Sequence, residues 1–125
     1  MSHRKAILLA LALIAAPAAL AQNATQISAV KACAKACAGS NLFQADFAYM
    51  DLNGRNFAKA RLRQSDLTAA TADRASFAGA DLSIANAFGV RFTGARLRHA
   101  NLEQATFVGA HFEGADLAGA RLTGA

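Results

Sequence analysis

The chain has 125 residues, a length that fits a single domain. It contains no tryptophan and one proline, and 54% of its residues are hydrophobic. Alanine, a frequent residue here, buries little area, so a conventional core of large apolar side chains is disfavoured. The formal net charge of +5 excludes a strongly acidic protein.

Residues 1–21 have the layout of a secretory signal peptide. A basic head ending in Arg4 and Lys5 precedes the apolar run Ala6–Ala16, Pro17, and small residues before a cleavage site after Ala21. An uncleaved anchor is disfavoured because the whole apolar stretch Ala6–Ala21 has sixteen residues and contains Pro17, whereas a membrane span needs about 20. We predict a bacterial periplasmic or secreted protein with no transmembrane span after cleavage. Losing both basic residues lowers the formal charge to +3.

Residues 22–39 come before any regular pattern and are predicted to cap the region after them. Within them, Ala29–Ala38 has the composition of a short helix, and Gly39 is a suitable stop signal. The mature chain is therefore expected to consist of an N-terminal cap segment, residues 22–39, and a second region, residues 40–125.

The two cysteines, Cys33 and Cys37, both lie in the cap segment. Two cysteines in an exported protein usually pair, but a spacing of four on a regular helix is poor disulfide geometry. A local disulfide, two buried thiols and an intermolecular bridge all stay open. The spacing lacks further ligands, so no metal site is predicted.

A five-residue rhythm runs from Ser40 to Gly124 without insertion or deletion. Of seventeen blocks, fifteen have Leu or Phe at the centre, and most have Ala two positions earlier. All nine glycines share one phase of the period. A period of five fits neither a helix nor a flat strand, but it fits short extended segments that each end in a turn. The glycine phase then marks a turn position with positive φ.

A typical block has Ala first, a polar residue second, Leu or Phe third and often Gly fifth. This pattern resembles that of the pentapeptide-repeat family. The resemblance covers nearly all of the mature chain. It implies an all-β fold, a right-handed quadrilateral parallel β-helix with four repeats per coil and about four coils of twenty residues.

A twenty-residue coil predicts that residues twenty apart stack in columns. Arg55 is the oddest residue because it occupies an inward position that is usually alanine. Two columns should form the regular core: Leu42, Leu62, Leu82, Leu102 and Leu122, and Phe57, Phe77, Leu97 and Leu117.

Charged residues sort by face under the same arrangement. Two adjacent faces should carry a basic edge, which suits an anionic envelope component, although an ordinary solvated surface is the simpler interpretation. Nucleic acid is disfavoured because no stacking aromatics interleave with these residues. The basic edge consists of Lys59, Arg61, Arg63, Arg96, Arg98 and Arg121.

A small apolar patch is also expected on the outside of the coil. Phe88 and Val108 are twenty apart and should stack, with Ile84 near the shared corner. Such a patch suggests a contact surface, unless Phe88 folds over the small centre Ala87.

No catalytic constellation, cofactor motif or cleft is indicated, so the chain is predicted to be a non-enzymatic scaffold. It would bind an unidentified protein or itself, and end-to-end stacking through the last coil would give a homodimer. The family resemblance also raises a DNA-mimicking, topoisomerase-binding role, which the positive charge and the signal peptide disfavour. A purely architectural, self-associating module is the third alternative.

Overall fold

A computed structural model describes residues 37–125 of the chain. Within this range there is no helix and no continuous strand; every fifth residue instead forms an isolated parallel bridge with the residue twenty positions later. The bridges continue without a break from Asn41↔Arg61 to Asn101↔Arg121. The described chain is therefore a solenoid with a twenty-residue period. We call residues 41–60 coil 1, 61–80 coil 2, 81–100 coil 3 and 101–120 coil 4.

Backbone hydrogen bonds join each coil to the next. The Leu42 amide donates to the Arg61 carbonyl at 2.7 Å, and the Gln44 amide donates to the Arg63 carbonyl at 3.0 Å. In the opposite direction, the Arg61 amide donates to the Ser40 carbonyl at 2.9 Å. This pattern recurs in every block that has a following coil, so main-chain polar groups are satisfied in spite of the very short extended segments.

Each five-residue block ends in a turn, which gives four corners per coil. The Arg55 amide donates to the Leu52 carbonyl at 3.2 Å across Gly54, whose φ is 68°. All nine glycines and nine other residues in this phase have φ between 54° and 72°. A positive φ at the third turn residue is what a type II turn requires.

Four flat faces lie between the corners, and we number them by the central column that each carries. Face 1 carries the Leu42 column, face 2 the Phe47 column, face 3 the Leu52 column and face 4 the Phe57 column. The residue before each centre and the two residues after it form the outer surface.

Asn or Asp before the centre stabilises the turn that comes next. The Asp46 Oδ1 accepts a hydrogen bond from the Ala48 amide at 3.0 Å, as an Asx side chain does in a turn. This bond explains the polar second position of the repeat. It is made by Asn41, Asp46, Asp51, Asn56, Asp66, Asp81, Asn86, Asn101 and Asp116.

The core fills the inside of the coil with the central side chains. Phe57 and Phe77 stack with ring centroids 5.0 Å apart and planes 8° from parallel. Phe92 contacts Phe77 edge-on at 5.4 Å. The small centres Ala72 and Ala87 belong to the same core cluster and are both fully buried. The most buried predicted core residues, at 0–1% exposure, are Leu42, Leu62, Leu82, Leu102, Phe57, Phe77 and Leu97.

The predicted helix Ala29–Ala38 is wrong at its C-terminal end. The Cys37 amide donates to the Asn56 carbonyl at 2.7 Å, and the Gly39 amide donates to the Ala58 carbonyl at 2.9 Å. These inter-coil bonds place Cys37–Gly39 in the solenoid, with Cys37 at the head of the face 4 column. A helix does not form here because coil 1 places carbonyl acceptors opposite these amides. Gly39 is a corner residue with positive φ and not a helix stop.

The predicted signal peptide, residues 1–21, and residues 22–36 of the predicted cap lie outside the described residues. Within residues 37–125, no helix has the length and hydrophobicity needed to cross a membrane.

Candidate interaction surfaces

The basic edge is spread over the adjacent faces 4 and 1, and all six of its side chains are exposed. Two of them have carboxylate partners within the described coils. Arg98 Nε lies 2.6 Å from Asp116 Oδ2, and an Arg121 guanidinium nitrogen lies 2.5 Å from Glu103 Oε1. Exposed pairs of this kind contribute little stability, but they lower the local positive charge.

A polar network occupies the face 1 side of the same edge. Arg63 donates to Ser83 Oγ at 3.3 Å, and the Ser83 hydroxyl donates to Asp81 Oδ1 at 2.6 Å. Lys59, the adjacent edge residue, lies across Gly79, whose missing Cβ would be 3.5 Å from Lys59 Cγ. The edge is therefore a surface of mixed charge, and it is not an uninterrupted basic stripe.

Two carboxylates of coil 4, Glu113 and Asp116, have lowered pKa values. The hydrogen bond from Arg98, followed by that from the Ala118 amide, holds the pKa of Asp116 below its ordinary value. The backbone hydrogen bond at Glu113 and the contact with His111 lower the pKa of the Glu113 carboxyl. Because both pKa values lie below their ordinary acidic values, each carboxylate is ionised at neutral pH and neutralises neighbouring positive charge.

The predicted apolar patch is present on face 2 and its corner. Ile84 is 37% exposed, Phe88 52% and Val108 61%. Phe88 therefore does not fold into the core over Ala87, which is fully buried. Face 2 carries no Lys or Arg in coils 1 to 4, whereas the opposite face 4 carries three.

Coil 4 presents the other apolar surface because no described coil covers it. Phe107, Phe112 and Leu117 are half-buried, and Leu122, just beyond coil 4, is 48% exposed. The rings of Phe107 and Phe112 pack edge-on with their centroids 5.2 Å apart, so they form one apolar surface. The side chains of the predicted columns are thus buried in coils 1 to 3, whereas those of Leu117 and Leu122 are partly exposed to solvent.

The backbone of coil 4 is also open. The amides of Phe107, Phe112 and Leu117 are equivalent to the amide of Leu42, which donates to the next coil, but they have no acceptor within residues 37–125. The sequence analysis indicated the last coil as a contact end, but the stacking is needed to identify which of its amides lack an acceptor, because every block has the same local pattern.

Cys37 is fully buried at the head of the face 4 column, and its sulfur is disulfide-bonded. Cys33 lies outside the described residues, so the Cys33–Cys37 pairing stays a prediction. Within residues 37–125, no group of three or more His, Cys, Asp and Glu side chains is placed to hold a metal ion.

Comparisons with known proteins agree with this geometry. A family model for pentapeptide repeats matches residues 40–77, 51–86 and 85–124, with eight copies. No significant match was found among curated protein sequences.

Solved structures of pentapeptide repeat proteins are similar to this chain. One, from the Arabidopsis thaliana thylakoid lumen, is 33% identical with a TM-score of 0.68, over 69% of this chain and 60% of its own. HetL, involved in heterocyst differentiation regulation in the cyanobacterium Nostoc sp. strain PCC 7120, is 33% identical with a TM-score of 0.63, over 64% and 37%.

Another protein from Nostoc PCC 7120 is 31% identical with a TM-score of 0.63, over 79% of this chain and 93% of its own. This chain therefore spans only part of the first two relatives. The unbroken five-residue period, the twenty-residue bridges and the family match lead to one conclusion: the chain belongs to the pentapeptide repeat family.

Proposed function

We propose that this protein is a non-enzymatic scaffold of the cell envelope that associates with a second copy of itself through coil 4. The observation that carries this proposal is the combination of an exposed apolar surface and unpaired backbone groups at that end. We further propose a right-handed coil, as the family resemblance implies, with the cap segment covering the opposite end.

The apolar part of the contact is formed by the uncovered core centres. Leu122 is 48% exposed, while Leu82, in the same column, is 1% exposed. Covering Phe107, Phe112, Leu117 and Leu122 would remove apolar area from water, which favours association at about 25 cal/mol per Å² before its entropic cost is counted.

The polar part of the contact is formed by the backbone. Coil 4 presents amide donors at its centres, such as Phe107 and Phe112, and carbonyl acceptors at inward positions, such as Ala105. An end that carries both kinds of group can pair with an identical end about a two-fold axis, because each donor can face an acceptor of the other copy. This supports a second copy as the occupant.

A scaffold fits the rest of the surface better than an enzyme does. His99 and His111 are exposed on the outside of the solenoid rather than in a cleft. A DNA-mimicking role is weakly supported because it needs a predominantly negative surface, and faces 1 and 4 carry more basic than acidic residues. Export is proposed from the signal-peptide pattern, and one solved relative is a protein of the thylakoid lumen.

The test is sedimentation equilibrium of the mature chain and of Leu122→Lys. We expect a dimer for the unaltered protein and a monomer for the variant, because a charge would be buried in the apolar contact. Phe88→Lys is the matched control, since it places the same charge on the exposed patch of face 2. A variant Phe88→Lys that dissociates while Leu122→Lys remains dimeric would overturn the proposed end contact.

A further inference from the structure

A surface groove at the corner between faces 3 and 4 contains three arginines and no carboxylate. Arg55, Arg74 and Arg96 line it together with Asn56 and Ser76. No Asp or Glu is among its lining residues. This groove is separate from coil 4 and does not depend on the proposed self-association.

The twenty-residue period brings these three arginines together from successive coils. Ser76 forms a bridge with Arg96 one coil further along. The Ser76 amide donates to the Arg55 carbonyl in coil 1 at 2.9 Å. Arg74 belongs to coil 2, so three neighbouring coils, whose backbones lie at the strand spacing of about 4.8 Å, each supply one guanidinium.

Glycines leave room in the groove. A Cβ placed on Gly54 would have no atom within 4 Å, so the space above that corner is open. A Cβ on Gly94 would lie 3.3 Å from Arg74 Cγ, which shows that the aliphatic stem of Arg74 lies across this corner. The neighbouring coil thus restricts the Arg74 stem while leaving space beside it.

Unlike Arg91, Arg98 and Arg121, and like Arg61, the guanidinium groups of the groove have no carboxylate partner among the described residues. Arg91, Arg98 and Arg121 each have a carboxylate partner at 2.5–2.8 Å. Within residues 37–125, Arg55 and Arg74 make no side-chain hydrogen bond or ion pair.

Arg96 is likewise without a side-chain partner in the described coils. The nearest carboxylate along its column, Asp116, accepts from Arg98 at 2.6 Å. The Ser76 hydroxyl makes no hydrogen bond to the described residues, so it is a further available donor.

Arg55 occupies a position where the solenoid favours a small residue. One coil and two coils further along the same column, Ala75 and Ala95 are buried at 0–1% exposure. Arg55 is half-buried, so its long side chain is not enclosed in the core as the alanines of its column are. Alanine would avoid the charge repulsion that three uncompensated guanidinium groups create.

We propose that this groove binds a phosphoryl group, with Arg55, Arg74 and Arg96 as its guanidinium ligands and Ser76 as a hydroxyl donor. A carboxylate carries one negative charge on two oxygens in a plane. A phosphate monoester carries close to two charges on three terminal oxygens, so it can accept from donors supplied by three separate coils. Guanidinium forks match phosphate oxygens in pairs, which favours arginine over lysine at such a site.

Side-chain NMR of the arginine Nε–Hε groups tests the site directly in the full mature chain. Inorganic phosphate is titrated at constant ionic strength, with chloride replaced as phosphate is added. We expect saturable shifts for Arg55, Arg74 and Arg96. Phosphate should also raise the melting temperature, because a ligand that binds only the folded state stabilises it.

Two variants measure how much the groove contributes. Arg74→Gln with Arg96→Gln should weaken phosphate binding at least about tenfold, the effect of one charge-assisted hydrogen bond. Arg55→Ala should weaken binding while retaining the fold, because it restores the small residue of its column. The matched control is Arg61→Gln with Arg63→Gln, which removes the same charge on face 1, and it should change binding less than threefold.

The outcomes are distinct. Absence of saturation, or equal weakening by the control pair, would show diffuse attraction to a basic surface and overturn the site. Retention by phosphatidic acid vesicles but not phosphatidylcholine vesicles, lost in Arg74→Gln with Arg96→Gln, would assign the phosphoryl group to an anionic lipid, because phosphatidic acid carries a phosphate monoester. Phosphate binding without vesicle retention would assign it to a soluble molecule, and either assignment upholds the groove.

Discussion

Coil 3 and coil 4 are built from the same repeat, yet only coil 3 is sealed. Its centres Leu82, Ala87, Phe92 and Leu97 are 0–1% exposed, whereas Phe112 in coil 4 is only half-buried. Both coils follow the same repeat pattern. Their central side chains differ in burial because another coil covers coil 3, whereas no described coil fully covers coil 4. Burial in a solenoid is thus a property of neighbouring coils more than of the single repeat.

The corners of the two coils show the same difference. In coil 3, Ile84 has a φ of 57°, an unfavourable value for a β-branched residue, and its amide donates to the Glu103 carbonyl at 2.9 Å. In coil 4 and just beyond, the four corners without a following coil are all glycine: Gly109, Gly114, Gly119 and Gly124. The inter-coil hydrogen bond helps to hold a strained corner, and glycine removes the need for it.

The largest expected difference is between two leucines of one column. Leu82→Ala should lower the free energy of unfolding by about 2–5 kcal/mol, because it leaves a cavity between sealed coils. Leu122→Ala should cost about 1 kcal/mol or less, since half of that side chain is already exposed. Urea unfolding, at a protein concentration that keeps the chain monomeric, measures both values. Equal costs would show that another part of the molecule covers coil 4.

A smaller difference is expected between two glycines of the face 2 corner. Gly89→Ala should cost about 1–2 kcal/mol, because φ is 66° and no atom lies within 4 Å of the added Cβ, which leaves backbone strain as the cause. Gly109→Ala should cost less, because its amide has no following acceptor in the described coils and the corner can relax locally.

Hydrogen exchange distinguishes the two glycine variants. Gly109→Ala should speed exchange only at neighbouring amides of coil 4, while Gly89→Ala should lower protection throughout the solenoid. A global loss of protection in Gly109→Ala would mean that coil 4 is as tightly constrained as coil 3.

The five-residue period alone predicts much of the solenoid. The repeated block predicts the buried central Leu and Phe, the glycines at positive φ and the stacking of residues twenty apart, because every block must form the same turn and bury the same central side chain. The true start of the regular coil could not be predicted, since Cys37–Gly39 is ambiguous between a helix end and a corner until the Asn56 and Ala58 carbonyls are placed.

The surfaces were less predictable than the core. Arg91–Asp73 and Arg98–Asp116 each join residues eighteen apart, on a diagonal between coils. Which diagonal a long side chain takes depends on its rotamer, and the period does not determine this. The groove of Arg55, Arg74 and Arg96 was missed for a related reason: its members come from three different positions of the repeat and belong to no single column.

Two buried serines within the sealed coils allow a finer test of what burial requires. Ser65 is 1% exposed and its hydroxyl has no partner, whereas the Ser83 hydroxyl, 4% exposed, bonds to Asp81 and Arg63. Ser65→Ala should therefore raise the free energy of unfolding by about 1 kcal/mol, and Ser83→Ala should lower it by about 1 kcal/mol. Urea midpoints measure both. A loss of stability in Ser65→Ala would indicate that a buried water bonds to this hydroxyl.

The smallest expected effect belongs to the exposed surface of coil 4. The hydrogen bond from Arg98 lowers the pKa of Asp116 below its ordinary value of 3.8, so this carboxylate stabilises the fold above that pH. Its contribution should disappear as the pH falls through the lowered value, and because the pair is exposed, the effect should be small and weakened by salt.

Urea midpoints of the unaltered protein and of Asp116→Asn at pH 7 and at about pH 2 measure this contribution. We expect the unaltered protein to be the more stable at pH 7 and the two to converge in acid. The lowered pKa of Glu113 makes both proteins acid-sensitive in a similar window, so the difference between them is what isolates Asp116. Arg98→Gln should reduce the difference at pH 7, because it removes the main cause of the shift. A difference that is the same at both pH values would show that Asp116 acts through the neutral hydrogen bond to the Ala118 amide, which protonation can leave in place.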